Sequence, residues 1–350
     1  MTGYLAEAAE HDAAGRYYEA VNAMALGAQR GDLEAMVALA KRLLVGDRAP
    51  YLPNDAVKLL GDALRGGNLE AALRVAALAA LGTHVEQSWS GAFGLLIHAA
   101  ERGSESARGQ LRVLAAGPGA VPEASEWRGL AERIDLKFWL RVPEGVTLHP
   151  APLVRRFADL GTDAACAWLK QRAAGRLRRA LIYDPGEGGD VADHMRTNTI
   201  VTFDLADIDL VQVMMQYRMS AACGVTLRNA EGPTILHYET GEQITNHFDF
   251  VNPRLPDYAK IIEERGERII TFLLYLNDDY EGGETGFPEL GFKHKGTRRG
   301  GLFFTNALPT GGPDERMVHA GLPPTRGEKW IVSQFFRSRV ALNMRAEKVG

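Results

Sequence analysis

The sequence predicts an α-helical repeat solenoid followed by a β-rich domain of the sandwich or jelly-roll type. Three observations lead to this fold class. The first third of the chain repeats every 36 residues, a Pro- and Gly-containing stretch follows residue 116, and short β-like runs separated by turns dominate from about residue 150. A period in the mid-thirties is typical of stacked helix pairs, whereas short runs between turn residues are typical of antiparallel sheets.

The composition indicates a folded globular protein and excludes several classes of function. The 350 residues are 46% hydrophobic and 24% charged, with a net charge of −4, so neither disorder nor a nucleic-acid or membrane partner is expected. Two cysteines fit neither a disulfide framework nor a thiolate metal site. The sequence lacks a signal-like leader and an apolar run of spanning length, which predicts a cytoplasmic location.

The repeat is visible in the sequence itself. Residues 30–35 return as residues 66–71 and again as residues 102–107, and Gly46 matches Gly82 in the same register. Alanine permits helices to approach closely, and the glycines end one helix and let the chain reverse. Residues 14–116 resemble Sel1-type repeats, relatives of the tetratricopeptide family, and we expect residues 1–116 to form this module with a capping helix. Such repeats bind polypeptides or brace a neighbour, and both roles stay open.

The remaining chain divides into a predicted connector, residues 117–149, and a second domain, residues 150–350. A helix is predicted from Thr162 to Ala180. The predicted strands cover Thr234–Tyr238, Ile269–Leu276, Gly301–Thr305 and Lys329–Arg337.

A candidate metal site lies in this second domain. His247 and Asp249 form an H-x-D motif, and residues i and i+2 of a strand point to the same face. His319, from another strand, would complete a face of two histidines and one carboxylate. This face leaves coordination positions open and suits Fe(II) oxygen chemistry.

A candidate anion site accompanies the metal site. Lys329 lies ten residues beyond His319, on a predicted strand, and a lysine that points into a barrel requires an anion because an unpaired buried charge is costly. A dicarboxylate bound to the iron would supply that anion. Tyr238, nine residues before His247, could donate a hydroxyl hydrogen to the same carboxylate.

These motifs together resemble the prolyl 4-hydroxylase family of 2-oxoglutarate oxygenases. The matching text is residues 196–198, 236–243, 247–249, 268–277, 282–288, 319–321 and 327–330. The resemblance implies a double-stranded β-helix in which His247, Asp249 and His319 hold Fe(II). It further implies that Lys329, helped by Tyr238 and Thr285, binds 2-oxoglutarate, that O2 is consumed, and that L-ascorbate serves as reductant.

Two positions depart from the family pattern. The family places an aromatic residue three positions before the first histidine and often a Trp six positions after the lysine, and both line the prolyl pocket. Here these positions hold Ile244 and Phe335, whereas Arg268, at a position used near the substrate, is retained. The oxygen chemistry is therefore better supported than the choice of peptidyl proline.

Three functional hypotheses follow. The first is a dioxygenase that hydroxylates a prolyl or other peptidyl residue presented by the repeats. The second is an oxygenase for a small molecule, with the repeats serving assembly, including homodimer formation. The third is a repeat scaffold with an idle barrel, against which the complete metal face and Lys329 argue.

Overall fold

The structure is a computed structural model that describes residues 3–123, 126–184, 189–191, 194–251 and 256–340. The helices are α1 (Gly3–Ala13), α2 (Tyr17–Gln29), α3 (Leu33–Val45), α4 (Pro53–Arg65), α5 (Leu69–Leu81), α6 (Trp89–Glu101), α7 (Glu105–Ala116), α8 (Trp127–Glu132), α9 (Leu136–Leu140), α10 (Asp163–Ala173), α11 (Leu210–Cys223) and α12 (Pro256–Arg265). The strands are β1 (Gly145–Pro150), β2 (Leu153–Phe157), β3 (Arg178–Arg179), β4 (Ile182–Asp184), β5 (Gly189–Val191), β6 (Thr199–Thr202), β7 (Thr234–Tyr238), β8 (Ile244–His247), β9 (Arg268–Tyr275), β10 (Glu281–Gly282), β11 (Thr285–Phe287), β12 (Phe292–His294), β13 (Gly301–Thr305), β14 (His319–Gly321), β15 (Pro324–Arg326) and β16 (Lys329–Arg337).

The first third of the chain is a stack of helix pairs, as predicted. The second helix of each pair begins after Asp32, Asn68 or Ser104, three N-cap residues spaced 36 apart whose side chains accept backbone N–H bonds of the first turn. Gly46 and Gly82 end α3 and α5 with φ values of 71° and 65°, the left-handed conformation that favours glycine. The repeated residues therefore mark the positions at which the helices begin and end.

The segment after α7 links the repeats to the sheet. The Trp139 side chain is fully buried, and its indole N–H donates to the Leu114 carbonyl at 3.0 Å. The buried Arg218 of α11 donates to the carbonyls of Phe138 and Leu160, both at 2.6 Å. The eight-stranded sheet already begins at Gly145, five residues before the predicted start of the second domain at residue 150.

Two antiparallel sheets face each other in the second domain. The large sheet has the order β1-β2-β13-β9-β16-β7-β6-β3, and the small one has the order β12-β11-β14-β8. Between them lies an apolar core to which β2, β7, β9, β11, β13 and β16 contribute. The other face of the large sheet packs on helices, in a core continuous with the repeats. This architecture confirms the predicted double-stranded β-helix.

The predicted elements agree with the structure except around three helices; α12 was not among the predicted elements. β7, β13 and β16 have the predicted bounds, and β9 is displaced by one residue. The predicted helix Thr162–Ala180 is wrong at its end, because α10 stops at Ala173, Gly175 takes a φ of 73°, and Arg178 pairs with Ile200 in the sheet. Helix α11 was not predicted.

Helix α11 joins the repeats to the sheet. Its N-terminal backbone N–H, at Leu210, donates to Gln110 of α7 at 2.9 Å. The hydroxyl of Tyr217 donates to the Ala80 carbonyl of α5 at 3.0 Å, and the buried Arg74 donates to the Ile208 carbonyl at 2.8 Å. The repeats are thus joined to the β-rich domain by these hydrogen bonds. No helix in the described part of the chain has the length and apolar character needed to cross a bilayer.

Candidate metal centre and anion pocket

The three predicted ligands converge between β8 and β14. His247, the last residue of β8, lies directly opposite His319, the first residue of β14. Asp249 lies just beyond the end of β8, so the bend after the strand directs its carboxylate to the imidazoles. One ligand atom from each side chain lies within 4.8 Å of the others. This set of two imidazoles and one carboxylate fits Fe(II) and leaves coordination positions open.

Both imidazoles are oriented for metal binding by their own backbone. The Nδ1 of His247 lies 2.8 Å from the Thr245 carbonyl, and the Nδ1 of His319 lies 2.9 Å from the Met317 carbonyl. Since a carbonyl can only accept, each Nδ1 carries the proton and each Nε2 presents its lone pair to the site. The His247 Nε2 lies 3.5 Å from Oδ1 of Asp249, and the His319 Nε2 lies 3.2 Å from Oδ2 of the same carboxylate.

Electrostatics keep the carboxylate ionised. Burial alone would raise the pKa of Asp249, but the adjacent His319 and His247 lower it well below its ordinary value. Burial also lowers the pKa of His319, an effect that the Asp249 charge outweighs, so the net pKa is raised. The pKa of His247 is lowered by burial and by His319. The cluster therefore holds a negative charge that suits a divalent cation.

A buried cation lies in the same barrel. Lys329 is 1% exposed, and among the described residues no carboxylate lies within ion-pair distance of its ammonium group. Burial, reinforced by Lys295, lowers its pKa to about 7. A buried lysine without a counter-ion fits an anionic ligand, such as the far carboxylate of a dicarboxylate bound at the metal.

One buried tyrosine lies beside this lysine, and two further buried hydroxyl groups lie on β9 and β11. Tyr238 lies directly opposite Lys329 in β7, and its ring centre is 5.1 Å from the ammonium nitrogen. Thr285, on β11, is buried, and its hydroxyl lies 3.1 Å from that of Tyr275 on β9. Because β11 pairs with β14, Thr285 also belongs to the sheet that carries His319.

The predicted substrate residues lie near the metal ligands. Phe335 of β16 is paired with Thr271 of β9, whose hydroxyl donates to Asp249. Ile244 lies on β8, the strand that ends with His247. Arg268 stacks over the Phe335 ring at 4.0 Å, but its guanidinium also forms two hydrogen bonds with Glu231, at 2.8 and 2.9 Å. This contact with Glu231 was not predictable from the sequence, because the partners are 37 residues apart, in an irregular segment and a strand.

The other histidines near the motifs lie off the metal register. His237 faces the opposite side of the sheet from Tyr238, as predicted, where its ring stacks with Trp330 at 4.2 Å. Its Nε2 lies 3.1 Å from a carboxylate oxygen of Glu328. His294 is half-buried beside the Tyr275 ring, and burial with the nearby Arg156 and Lys329 lowers its pKa to about 4. His194 is exposed.

The fold and the converging side chains define a double-stranded β-helix with a metal-binding face. Residues 233–337 match the family model of the 2OG-Fe(II) oxygenase superfamily. The chain is 31% identical over 191 residues to prolyl 4-hydroxylase subunit alpha-1 of Gallus gallus, a match that covers 54% of this chain and 36% of the relative. It thus spans about a third of the length of that relative.

Two solved structures are similar to separate parts of the chain. The viral collagen prolyl hydroxylase vCPH from Paramecium Bursaria Chlorella virus-1, in its 2OG complex, is 22% identical with a TM-score of 0.41, covering 53% of this chain and 96% of that one. A Sel1 repeat protein from Oxalobacter formigenes is 18% identical with a TM-score of 0.31, covering 39% of this chain and 60% of that one.

Proposed function

We propose that the protein is an Fe(II)- and 2-oxoglutarate-dependent dioxygenase that hydroxylates a C–H bond of a prolyl or other peptidyl residue. The observation that carries this proposal is the presence, in one barrel, of a two-histidine, one-carboxylate face and a buried lysine that has no ion-pair partner among the described residues. Iron, when bound, would activate O2, the oxidant of the reaction; one oxygen atom would enter the hydroxylated C–H bond and the other the succinate formed from 2-oxoglutarate with release of CO2.

Different residues of the chain bind the metal, bind 2-oxoglutarate and exclude water. His247, Asp249 and His319 hold the metal, and the two carbonyl contacts keep each Nε2 directed at it. Lys329 neutralises the far carboxylate of 2-oxoglutarate, while Tyr238 and Thr285 donate hydroxyl hydrogens to it. The apolar walls around them, which include Leu236, exclude water from the reacting groups.

A peptidyl substrate is supported by the similarity to prolyl 4-hydroxylase subunits and by the residues beside the metal. Ile244 and Phe335 offer an apolar surface, and Arg268 offers a cation held in place by Glu231. The aliphatic Ile244 leaves a peptidyl side chain other than proline as the main alternative within this class.

Several finer assignments belong to the same proposal. Residues 1–116 form the repeat module, residues 117–149 the connector and residues 150–350 the oxygenase domain. The protein functions in the cytoplasm and uses L-ascorbate as reductant. The repeats present a protein or peptide substrate in addition to bracing the barrel. Homodimer formation is the alternative use of the repeat surface, because α2, α4 and α6 leave many outward side chains exposed.

The test is direct analysis of products. Iron-loaded protein is incubated with 2-oxoglutarate, O2 and a peptide library whose members differ in the central residue, and peptides are analysed by mass spectrometry. We expect some peptides to gain the mass of one oxygen atom with wild-type protein and none with His247→Ala. If no peptide is modified while a small-molecule library yields a hydroxylated product, the substrate assignment is wrong and the small-molecule oxygenase replaces it.

A further inference from the structure

The Asp249 carboxylate is held by a hydrogen-bonded pair on the large sheet. The Thr271 hydroxyl donates to Oδ2 of Asp249 at 2.6 Å, and the Asn306 side-chain amide donates to the same hydroxyl at 2.9 Å. Thr271 and Asn306 are each 1% exposed. This short chain of bonds connects a ligand at the end of β8 to β9 and to the end of β13.

The direction of each bond follows from the groups involved. A hydroxyl has a single hydrogen, and an ionised carboxylate can only accept, so the Thr271 hydrogen is committed to Asp249. The hydroxyl oxygen is then free to accept, and the Asn306 NH2 fills that position. The polarised chain strengthens the bond to the carboxylate, as expected for a donor that itself accepts a hydrogen bond in a dry environment.

The backbone around the pair is fixed. Thr271 sits in the interior of β9, opposite Phe335 of β16 and Phe304 of β13. The Asn306 backbone N–H donates to the Ile269 carbonyl at 2.8 Å, and its carbonyl accepts from the Asp314 N–H at 2.9 Å. The backbone of both residues is therefore held by the large sheet and its connecting loop.

We propose that Thr271, supported by Asn306, is a positioning residue that holds Oδ2 of Asp249, which lies 3.2 Å from the His319 Nε2, and leaves Oδ1 as the oxygen that binds the metal. A metal held by two imidazoles and one carboxylate oxygen would have coordination positions open for 2-oxoglutarate and O2. A carboxylate that bound through both oxygens would occupy one of those positions. The pair would thus keep that position open.

This inference rests on the proposed function, because it assigns Asp249 to the metal. It goes further by predicting that a hydroxyl outside the ligand set controls how well 2-oxoglutarate binds to the loaded metal. Outer partners of metal ligands typically alter metal affinity by about 10- to 100-fold. Here a second effect is expected, at saturating metal, on the affinity for the co-substrate.

The experiment measures two dissociation constants by calorimetry, that of Co(II) and that of 2-oxoglutarate for Co(II)-saturated protein. Thr271→Val removes the hydroxyl at nearly constant volume, Thr271→Ser restores it without the methyl group, and Asn306→Ala removes only its support. Thr202→Val is the matched control, since Thr202 is an exposed strand threonine whose hydroxyl bonds to Thr234 at 2.9 Å, away from the site.

We expect Thr271→Val to weaken both affinities by about tenfold, in line with outer partners of other metal sites. Asn306→Ala should shift both in the same direction by a smaller factor, while Thr271→Ser and Thr202→Val stay within about twofold of wild type. Unchanged 2-oxoglutarate affinity in Thr271→Val would overturn the proposal, as would a Thr271→Ser protein as impaired as Thr271→Val. If Thr271→Val does not fold, Asn306→Ala decides the matter, and wild-type affinities in that variant reject the proposal.

Failure of the proposed function gives a different result. Wild-type protein would then show no metal-dependent binding of 2-oxoglutarate, whatever the variants do. If wild-type protein binds 2-oxoglutarate in a metal-dependent manner and Thr271→Val has no effect, the dioxygenase assignment stands. Only the positioning role of Thr271 is then rejected.

Discussion

Tyr238 and Lys329 lie directly opposite each other on adjacent strands, with the Lys329 ammonium 5.1 Å from the centre of the Tyr238 ring. Both side chains are 1% exposed. A cation and a hydroxyl are thus buried together at one end of a barrel whose metal face lies on the neighbouring sheet. A buried cation without an ion-pair partner lowers the stability of the free protein. Such a residue is retained where its charge binds a ligand.

Replacing Lys329 should separate co-substrate binding from metal binding. We expect Lys329→Met to weaken 2-oxoglutarate binding by about 10- to 150-fold, the loss expected for a hydrogen bond to a charged group. Metal affinity should stay unchanged, because the three ligands are intact. Calorimetry on the metal-loaded protein measures both quantities. Lys293→Met is the control, since Lys293 is exposed on β12, and an equal loss in that variant would contradict the assignment.

The pH dependence of binding follows from the lowered pKa of Lys329, about 7. The free protein loses this charge as the pH rises through 7, whereas a bound dicarboxylate favours the protonated lysine. The dissociation constant of 2-oxoglutarate should therefore be flat below pH 7 and rise by up to about tenfold per pH unit above it. Titrations between neutral and alkaline pH at saturating metal measure this slope. A slope that survives in Lys329→Met would show that another group is responsible.

A glycine in β14 makes room for Tyr238. A Cβ atom at Gly321 would lie 2.8 Å from Ile244 Cγ2 and 3.2 Å from the Tyr238 hydroxyl. Gly321→Ala should therefore displace the hydroxyl, weaken 2-oxoglutarate binding and destabilise the fold by about 1–3 kcal/mol. Gly94→Ala, on an open helix position, is the control and should be neutral or stabilising. Wild-type affinity and melting temperature in Gly321→Ala would refute the close approach.

The repeats should be needed for a stable barrel. Helix α11 buries Leu210, Val211 and Met214 between the sheet and the helices α5 and α7. A protein lacking residues 1–116 would expose this surface, and we expect it to aggregate, whereas the full chain should unfold in one thermal transition. Solubility and scanning calorimetry test this expectation. A soluble, folded fragment that binds 2-oxoglutarate as tightly as the full chain would contradict the bracing role.

The sequence predicted the features that depend on local pattern. The 36-residue spacing, the bounds of β7, β13 and β16, and the inward direction of Tyr238 and Lys329 all follow from periodicity along the chain. The contacts that depend on distant segments were not predictable in this way. Thr271 bonds to Asp249, and Asn306 bonds to Thr271, across segments that lie far apart in the sequence.

Helix α11 escaped prediction for a related physical reason. It is apolar on nearly all sides, because it is buried between the repeats and the sheet, so it lacks the one-sided pattern of a surface helix. Its start is nevertheless encoded locally. Asp209 and Gln212 form a capping box in which each side chain accepts the other residue's backbone N–H, and this signal could have located the helix.

The most direct test of the account is succinate formation from 2-oxoglutarate by Fe(II)-loaded protein prepared without oxygen and then exposed to O2. We predict Fe(II)-dependent turnover in wild type, none in His247→Ala, and recovery of Lys329→Ala only at high 2-oxoglutarate concentration. The contradicting result is wild-type protein that neither forms succinate with any peptide added nor binds 2-oxoglutarate in an Fe(II)-dependent manner, which would leave the barrel as a scaffold.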